Sequence, residues 1–233
     1  MFSWLSALAI SIAYTTIGSY HLLRLGRMPR SYRHVLAAHG AIWLALGITY
    51  LWAGLSQYSS SAGQDVLSRE FFHINYTCAF AVLIPYSYFA TYLISGKRFL
   101  SRCASAAAVV VAALGIGLVF TTPVMPRMFS WGGTWDFTSR RVSIFYLTAA
   151  IIPVAASLAA FILYLYPRTH SAEARRRLLL TTAAFTLLVA SWAILINRTS
   201  TALLVSRALA LLSGIAAHLA YFPPDFLRRG GRD

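Results

Sequence analysis

Seven apolar segments, each long enough to cross a membrane, constrain this sequence most. A helix needs about 20 residues to cross roughly 30 Å of hydrocarbon. We therefore predict an all-α membrane protein that forms a single seven-helix transmembrane domain over residues 1–233. Its helices are expected at about 2–23, 35–56, 71–95, 103–122, 142–166, 178–197 and 201–222.

The composition excludes several function classes. The chain is 58% hydrophobic and 11% charged, whereas soluble domains carry about 25% charged residues. This balance excludes a disordered chain, an ordinary nucleic-acid-binding domain and most soluble enzymes. The net charge of +14 comes from short basic clusters between apolar segments, which is typical of topogenic charge. The expected partner is a lipid bilayer, with no nucleic acid.

The basic residues predict the orientation. Fourteen of them lie in the first, third and fifth loops and in the C-terminal tail, against five in the other loops. By the positive-inside rule the N-terminus lies outside and the C-terminus inside, in the plasma (inner) membrane. The first segment lacks a basic region before it, so we do not expect a cleaved signal peptide. The tail is too short to fold, so any output would pass through the bundle or a protein partner on the inner side.

Polar side chains within the segments indicate the bundle interior, because lipid-facing surfaces rarely tolerate ionisable groups. Arg207 lies about two turns inside the seventh segment and favours an anion or ligand contact, with Glu70 as a resting partner. The alternative is a structural arginine that reaches the outer interface. The predicted outer ligand site consists of Glu70, His73, Asn75, Tyr76, Trp192 and Arg207.

Three histidines are expected near the inner side: His21, His39 and His218. They are compatible with b-type haem, which needs two imidazoles at one depth, or with ordinary histidines near the headgroups. No helix combines histidine and acid in a metal-ligand motif, and no predicted span contains aspartate, so we expect no metal site and no Ser-His-Asp triad. The chain is therefore predicted not to be an enzyme.

Two further features concern local structure. Pro85 predicts a kink in the third helix. The outer loop of about residues 123–141 carries aromatic residues around Gly132 and Gly133, which predict a turn. These aromatics belong either to an interfacial belt or to a lid over the outer site.

The topology and two short segments resemble the microbial opsins. His73-Ile74-Asn75-Tyr76 is similar to the third-helix segment that carries a basic residue and an acid–aromatic pair in that family, and Val205-Ser206-Arg207 lies near the position of its retinal lysine. The only lysine, Lys97, lies in a loop, and a guanidinium that stays protonated cannot form the Schiff base. Asn75 replaces the counterion acid, and the sixth-helix Trp-x-x-Tyr-Pro segment is missing around Trp192. The resemblance implies an opsin-like protein that cannot bind retinal covalently.

The chain also resembles the seven-helix sensory region of some bacterial histidine kinases and cyclases. The most specific feature is the exit Tyr221-Phe222-Pro223-Pro224-Asp225-Phe226-Leu227-Arg228-Arg229. No output domain follows, so signalling would need a partner.

These observations favour a non-enzymatic, receptor-like protein that holds a small ligand in its outer half. A haem- or quinone-binding subunit of an electron-transfer complex and a structural or assembly subunit of a membrane complex are the alternatives.

Overall fold

The computed structural model describes residues 2–129, 132–195 and 199–221. Its contacts divide the chain into two compact units, Met1–Ala150 and Ile151–Asp233. The organisation as one domain stays a prediction.

The first unit is built from helices and one β-hairpin. The hairpin is antiparallel, pairing Val124 with Phe137 at one end and Phe129 with Gly132 at the other. It is a local departure from the all-α prediction, and Gly132 and Gly133 lie in its second strand rather than in the turn. The elements are α1 (Phe2–Leu23), α2 (Arg30–Ser61), α3 (Asp65–Ala81), α4 (Leu83–Ser95), α5 (Arg98–Thr121), β1 (Val124–Phe129), β2 (Gly132–Phe137) and α6 (Arg141–Tyr146).

Three helices form most of the described part of the second unit. α8 packs extensively on α9 and less on α7. The first turns of α8 and α9 are capped by the Ser171 and Thr199 hydroxyls, which accept hydrogen bonds from the backbone N–H groups of Ala174 and Ala202. The elements are α7 (Ile152–Ala160), α8 (Ala172–Leu195) and α9 (Ser200–Tyr221).

The described residues contain six helices that are long and apolar enough to cross a membrane. The chain is therefore a helical, multi-pass membrane protein. The first predicted span forms the 22-residue helix α1 but is not among the six, so the seventh crossing and the orientation stay predictions. The predicted ends at residues 197 and 222, and the exit segment after Tyr221, lie outside the described residues. The six spans are Arg30–Ser61, Asp65–Ser95, Arg98–Thr121, Arg141–Leu165, Ala172–Leu195 and Thr201–Tyr221.

Prolines explain where the long helices lose regular geometry. Proline removes the hydrogen bond to the carbonyl four residues earlier and crowds that carbonyl. Near Pro85 the structure shows a one-residue interruption, since α3 ends at Ala81, four residues before the proline, and α4 begins at Leu83. Val82 between them keeps helical backbone angles, so the kink itself stays a prediction. Wide π-helical turns at Leu147–Ile151 and Phe161–Leu165 likewise end two residues before Pro153 and Pro167.

The closest helix contact in the first unit joins α1 and α2. Gly40, Gly47 and Gly54 recur every seven residues along α2 and bring its backbone against α1. The Ser11 hydroxyl donates to the Gly47 carbonyl across the interface at 2.7 Å. Small residues allow this approach, and in a membrane such contact drives helix association.

We predict that Gly18→Ala separates α1 from α2. A Cβ at position 18 would lie 2.6 Å from the Leu44 nitrogen and 2.9 Å from the Gly40 oxygen, both backbone atoms that cannot rotate away. Overpacking of this kind costs about 1–3 kcal/mol, so the melting temperature in mild detergent should fall. Gly117→Ala is the control, because a Cβ there meets no atom within 4 Å. Equal melting temperatures for the two variants would contradict the prediction.

Candidate functional site

One end of the first unit is covered by the β-hairpin. We call this the hairpin end and define it by Ser56 on α2, Ser68 on α3, and Trp135 and Phe137 on β2. The indole N–H of Trp135 donates to the Ser68 hydroxyl at 2.9 Å. Phe137 is fully buried, so the second strand is anchored to the helices at both residues.

Ser68 is anchored on α2. The Ser56 hydroxyl donates to the Ser68 carbonyl at 2.8 Å, and the Ser68 hydroxyl donates to the Ser56 carbonyl at 2.6 Å. Both serines are buried. These reciprocal bonds fix the α2–α3 corner that receives Trp135. Buried polar groups need such partners. The fixed Ser68 hydroxyl is therefore a specific attachment point for Trp135 of the hairpin.

Aromatic rings lie below this corner. The ring centroid of Phe137 lies 5.1 Å from that of Phe72 and 4.9 Å from that of Tyr76. Phe72 and Tyr76 are also in contact with each other, at 4.9 Å. The hairpin therefore packs on two α3 residues one turn apart. The interfacial belt and the lid both stay predictions.

The sequence-predicted residues of α3 have different surroundings. Tyr76 lies beneath Phe137, and the His73 ring stacks on Phe120 of α5 at 5.5 Å. The Oδ1 atom of Asn75 is buried and has no hydrogen-bond partner within the described residues. Glu70 is exposed and pairs with neighbouring Arg69 at 3.8 Å, a surface pair of little energetic weight.

α3 thus carries aromatic rings that pack against the hairpin and, at Asn75, a buried amide oxygen that accepts no hydrogen bond from the described residues. An amide oxygen with two lone pairs is an acceptor for an N–H or O–H group. In the part of the chain that the structure describes, no three His, Cys, Asp or Glu residues form a group that could hold a metal ion.

Two of the predicted inner histidines meet in a separate buried cluster. His21 and His39 are each 4% exposed, and their ring centroids lie 4.8 Å apart. Trp43 donates its indole N–H to the Nε2 atom of His39 at 3.0 Å. The His39 ring also stacks on Phe89 of α4 at 4.7 Å. The cluster joins α1, α2 and α4.

This geometry does not fit a haem held between His21 and His39. A haem iron needs a nitrogen lone pair from each axial imidazole, and the Nε2 lone pair of His39 accepts the Trp43 bond. The two imidazoles are also in direct contact at 4.8 Å, which leaves no space for a porphyrin between them. The haem pair expected first, His39 with His218, stays a prediction, since the two residues belong to different units. His218 lies on α9 with its side chain exposed.

The remaining predicted residues lie in the second unit. Arg207 is 9% exposed on α9, and Trp192 is half-buried on α8. Beside them the buried hydroxyls of Ser191 and Ser206 are 3.0 Å apart, which links α8 to α9. Arg207 is therefore an internal residue of this helix pair rather than an exposed surface charge.

Sequence reasoning missed the Ser56–Ser68 corner and the histidine–tryptophan bond. Serines inside apolar helices carry no distinguishing pattern, because most bond to their own helix. His39 and Trp43 are four residues apart and share one helix face, so that spacing was the available signal. The partner of Trp135 depends on how the hairpin folds back, which no local pattern specifies.

Together the helices and their buried polar groups define a multi-pass membrane protein with a capped end. Comparison with protein-family models, curated proteins and solved structures found no match to this chain. The resemblances to opsins and to sensory regions therefore stay predictions, and function is inferred below from the geometry alone.

We predict that Trp43→Phe destabilises the first unit. The change leaves the buried Nε2 atom of His39 without this donor, which costs about 1–3 kcal/mol for a buried acceptor. Thermal denaturation in mild detergent should show a lower melting temperature. Trp52→Phe is the matched control on the same helix, since the half-buried Trp52 ring packs against Phe71. A similar loss in both variants would show that ring size, not the hydrogen bond, matters.

Proposed function

We propose that the chain is a receptor-like, non-enzymatic protein of the plasma (inner) membrane that binds a small ligand beneath the hairpin. The observation that carries this proposal is the buried Oδ1 atom of Asn75, which no described residue bonds, next to a tyrosine covered by Phe137. A buried acceptor without a partner costs free energy. A ligand donor would remove that cost.

The surroundings limit the chemistry of the ligand. Phe72, Tyr76 and Phe137 supply apolar and aromatic surface, which suits a small organic body. Asn75 requires a donor, so the ligand would carry an amine, amide or hydroxyl group. His73 and Glu70 lie on the same helix nearer its beginning and would contact polar parts of the ligand.

Ligand binding at this site would be transmitted as a conformational change to the opposite end of α4. The ligand would bind to α3, and α3 is separated from α4 by the interruption before Pro85. A break in a helix is a place where its two halves can change direction. Binding would tilt α4, and a partner protein at the basic end near Lys97 and Arg98 would detect the change.

Ligand-induced stabilisation tests the proposal. Purified protein in mild detergent is heated with a panel of small amines, amides and alcohols that carry apolar groups. A ligand present at about one hundred times its Kd stabilises the folded state by about 2.7 kcal/mol, so at least one compound should raise the melting temperature. Asn75→Ala should abolish the rise without lowering the melting temperature of the free protein.

Two further variants make the test specific. Trp135→Phe removes the bond to Ser68 and should reduce the rise. Thr148→Val removes an exposed hydroxyl that bonds only within its own helix and should leave the rise intact. If no compound stabilises the wild type, or if Asn75→Ala keeps the full effect, the proposed site is wrong.

A further inference from the structure

A basic cavity lies at the beginning of α8, within the second unit. Its volume is about 430 Å³. The side chains that line it include polar or charged groups as well as apolar ones. They include Tyr166, His170, Arg175, Arg176, Leu179 and Leu180.

The charge around this cavity is strongly positive. Glu173 is the only acidic residue between positions 151 and 221, and it is bound to Arg177. Arg175 uses its Nε atom to donate to the Thr169 carbonyl. Arg175 and Arg176 both line the cavity. A phosphate group suits such a pair, because arginine donates bidentate hydrogen bonds to it.

A second groove, formed by α7 with the turn after it and by α8, is almost entirely apolar. Its volume is about 420 Å³. Its two threonines, Thr182 and Thr186, donate their hydroxyls to carbonyls of their own helix, so they present mainly methyl groups. The lining includes Ala155, Ala159, Ile162, Thr182, Thr186 and Val189.

The two spaces follow one another along the same helix faces. On α8 the lining residues Leu179, Thr182, Thr186 and Val189 are spaced by three or four residues, which places them on one face. About ten residues of helix span about 15 Å, which is half of the roughly 30 Å hydrocarbon thickness. The basic cavity corresponds to a phospholipid headgroup. The apolar groove, about as long as one leaflet is thick, corresponds to an acyl chain.

We propose that this face binds one anionic phospholipid, with its phosphate between Arg175 and Arg176 and an acyl chain in the groove between α7 and α8. Basic pockets at the ends of transmembrane helices recognise anionic headgroups in this way. The inference is independent of the ligand proposed for the hairpin end, which lies in the other unit.

The test measures lipid binding to the full chain in neutral detergent. Dioleoyl phosphatidylglycerol is the probe and dioleoyl phosphatidylcholine, with the same acyl chains, is its neutral counterpart. Native mass spectrometry should show a one-to-one adduct with phosphatidylglycerol. The double variant Arg175→Gln/Arg176→Gln should reduce the apparent affinity at least tenfold.

Matched variants separate the site from general charge and from folding. Arg27→Gln/Arg30→Gln removes the same charge from exposed positions of the first unit and should leave affinity within twofold. Thr186→Trp fills the apolar groove and should weaken binding although both arginines remain. Ile152→Trp places the same ring at an exposed position and should have no effect.

Three results would overturn the proposal. Equal binding of the two lipids would show that the headgroup charge is not recognised. Equal losses in the two arginine double variants would indicate diffuse attraction. Full displacement of the lipid by glycerol phosphate or inorganic phosphate would identify a site for a free phosphate instead.

Discussion

The backbone contact between α1 and α2 is the interaction on which the first unit depends. Lipid provides no hydrophobic force to drive helices together, so association relies on close packing and interhelical hydrogen bonds. The glycines at positions 40, 47 and 54 provide that packing, and Ser11 adds the hydrogen bond. The contact brings His21 against His39, and the remaining surface of α2 then receives α3, α4 and β2.

Polar side chains of the described helices find hydrogen-bond partners both within their own helix and on other elements. Many serine and threonine hydroxyls bond to their own helix, Trp43 bonds to His39, and Ser68 bonds to both Ser56 and Trp135. Such bonds explain polar residues without requiring any function for them. The buried Oδ1 atom of Asn75 differs from these groups, because the described residues supply no hydrogen-bond partner for it, as is also true of the Nε2 atom of His34.

The sequence predicted the helices far better than the contacts between them. Apolar length and loop charge located the segments, and Pro85 located the interruption, because these signals act within a few residues. The beginning of α2 at Arg30 and of α8 at Ala172 was placed too late, since polar residues extend these helices beyond their apolar segments. The surroundings of Glu70, His39 and Trp135 depend on how the chain folds around them. The apolar segment that contains Arg207 and His218 likewise gives no sign that Arg207 is buried and His218 exposed.

Small residues have opposite consequences in the two units. In α2 the glycines meet atoms of α1, so the space left by each missing side chain is filled by protein. A methyl group added to Gly47, for example, would lie 2.9 Å from the backbone nitrogen of Thr15. In α7, Ala155 and Ala159 face a groove bordered by the methyl groups of α8. This is the groove in which we propose that an acyl chain binds, because packed protein structures leave few voids. Small residues therefore join α1 and α2, because backbone atoms of one helix fill the space beside the other. In α7 the small residues leave a groove, which in our proposal is a lipid contact.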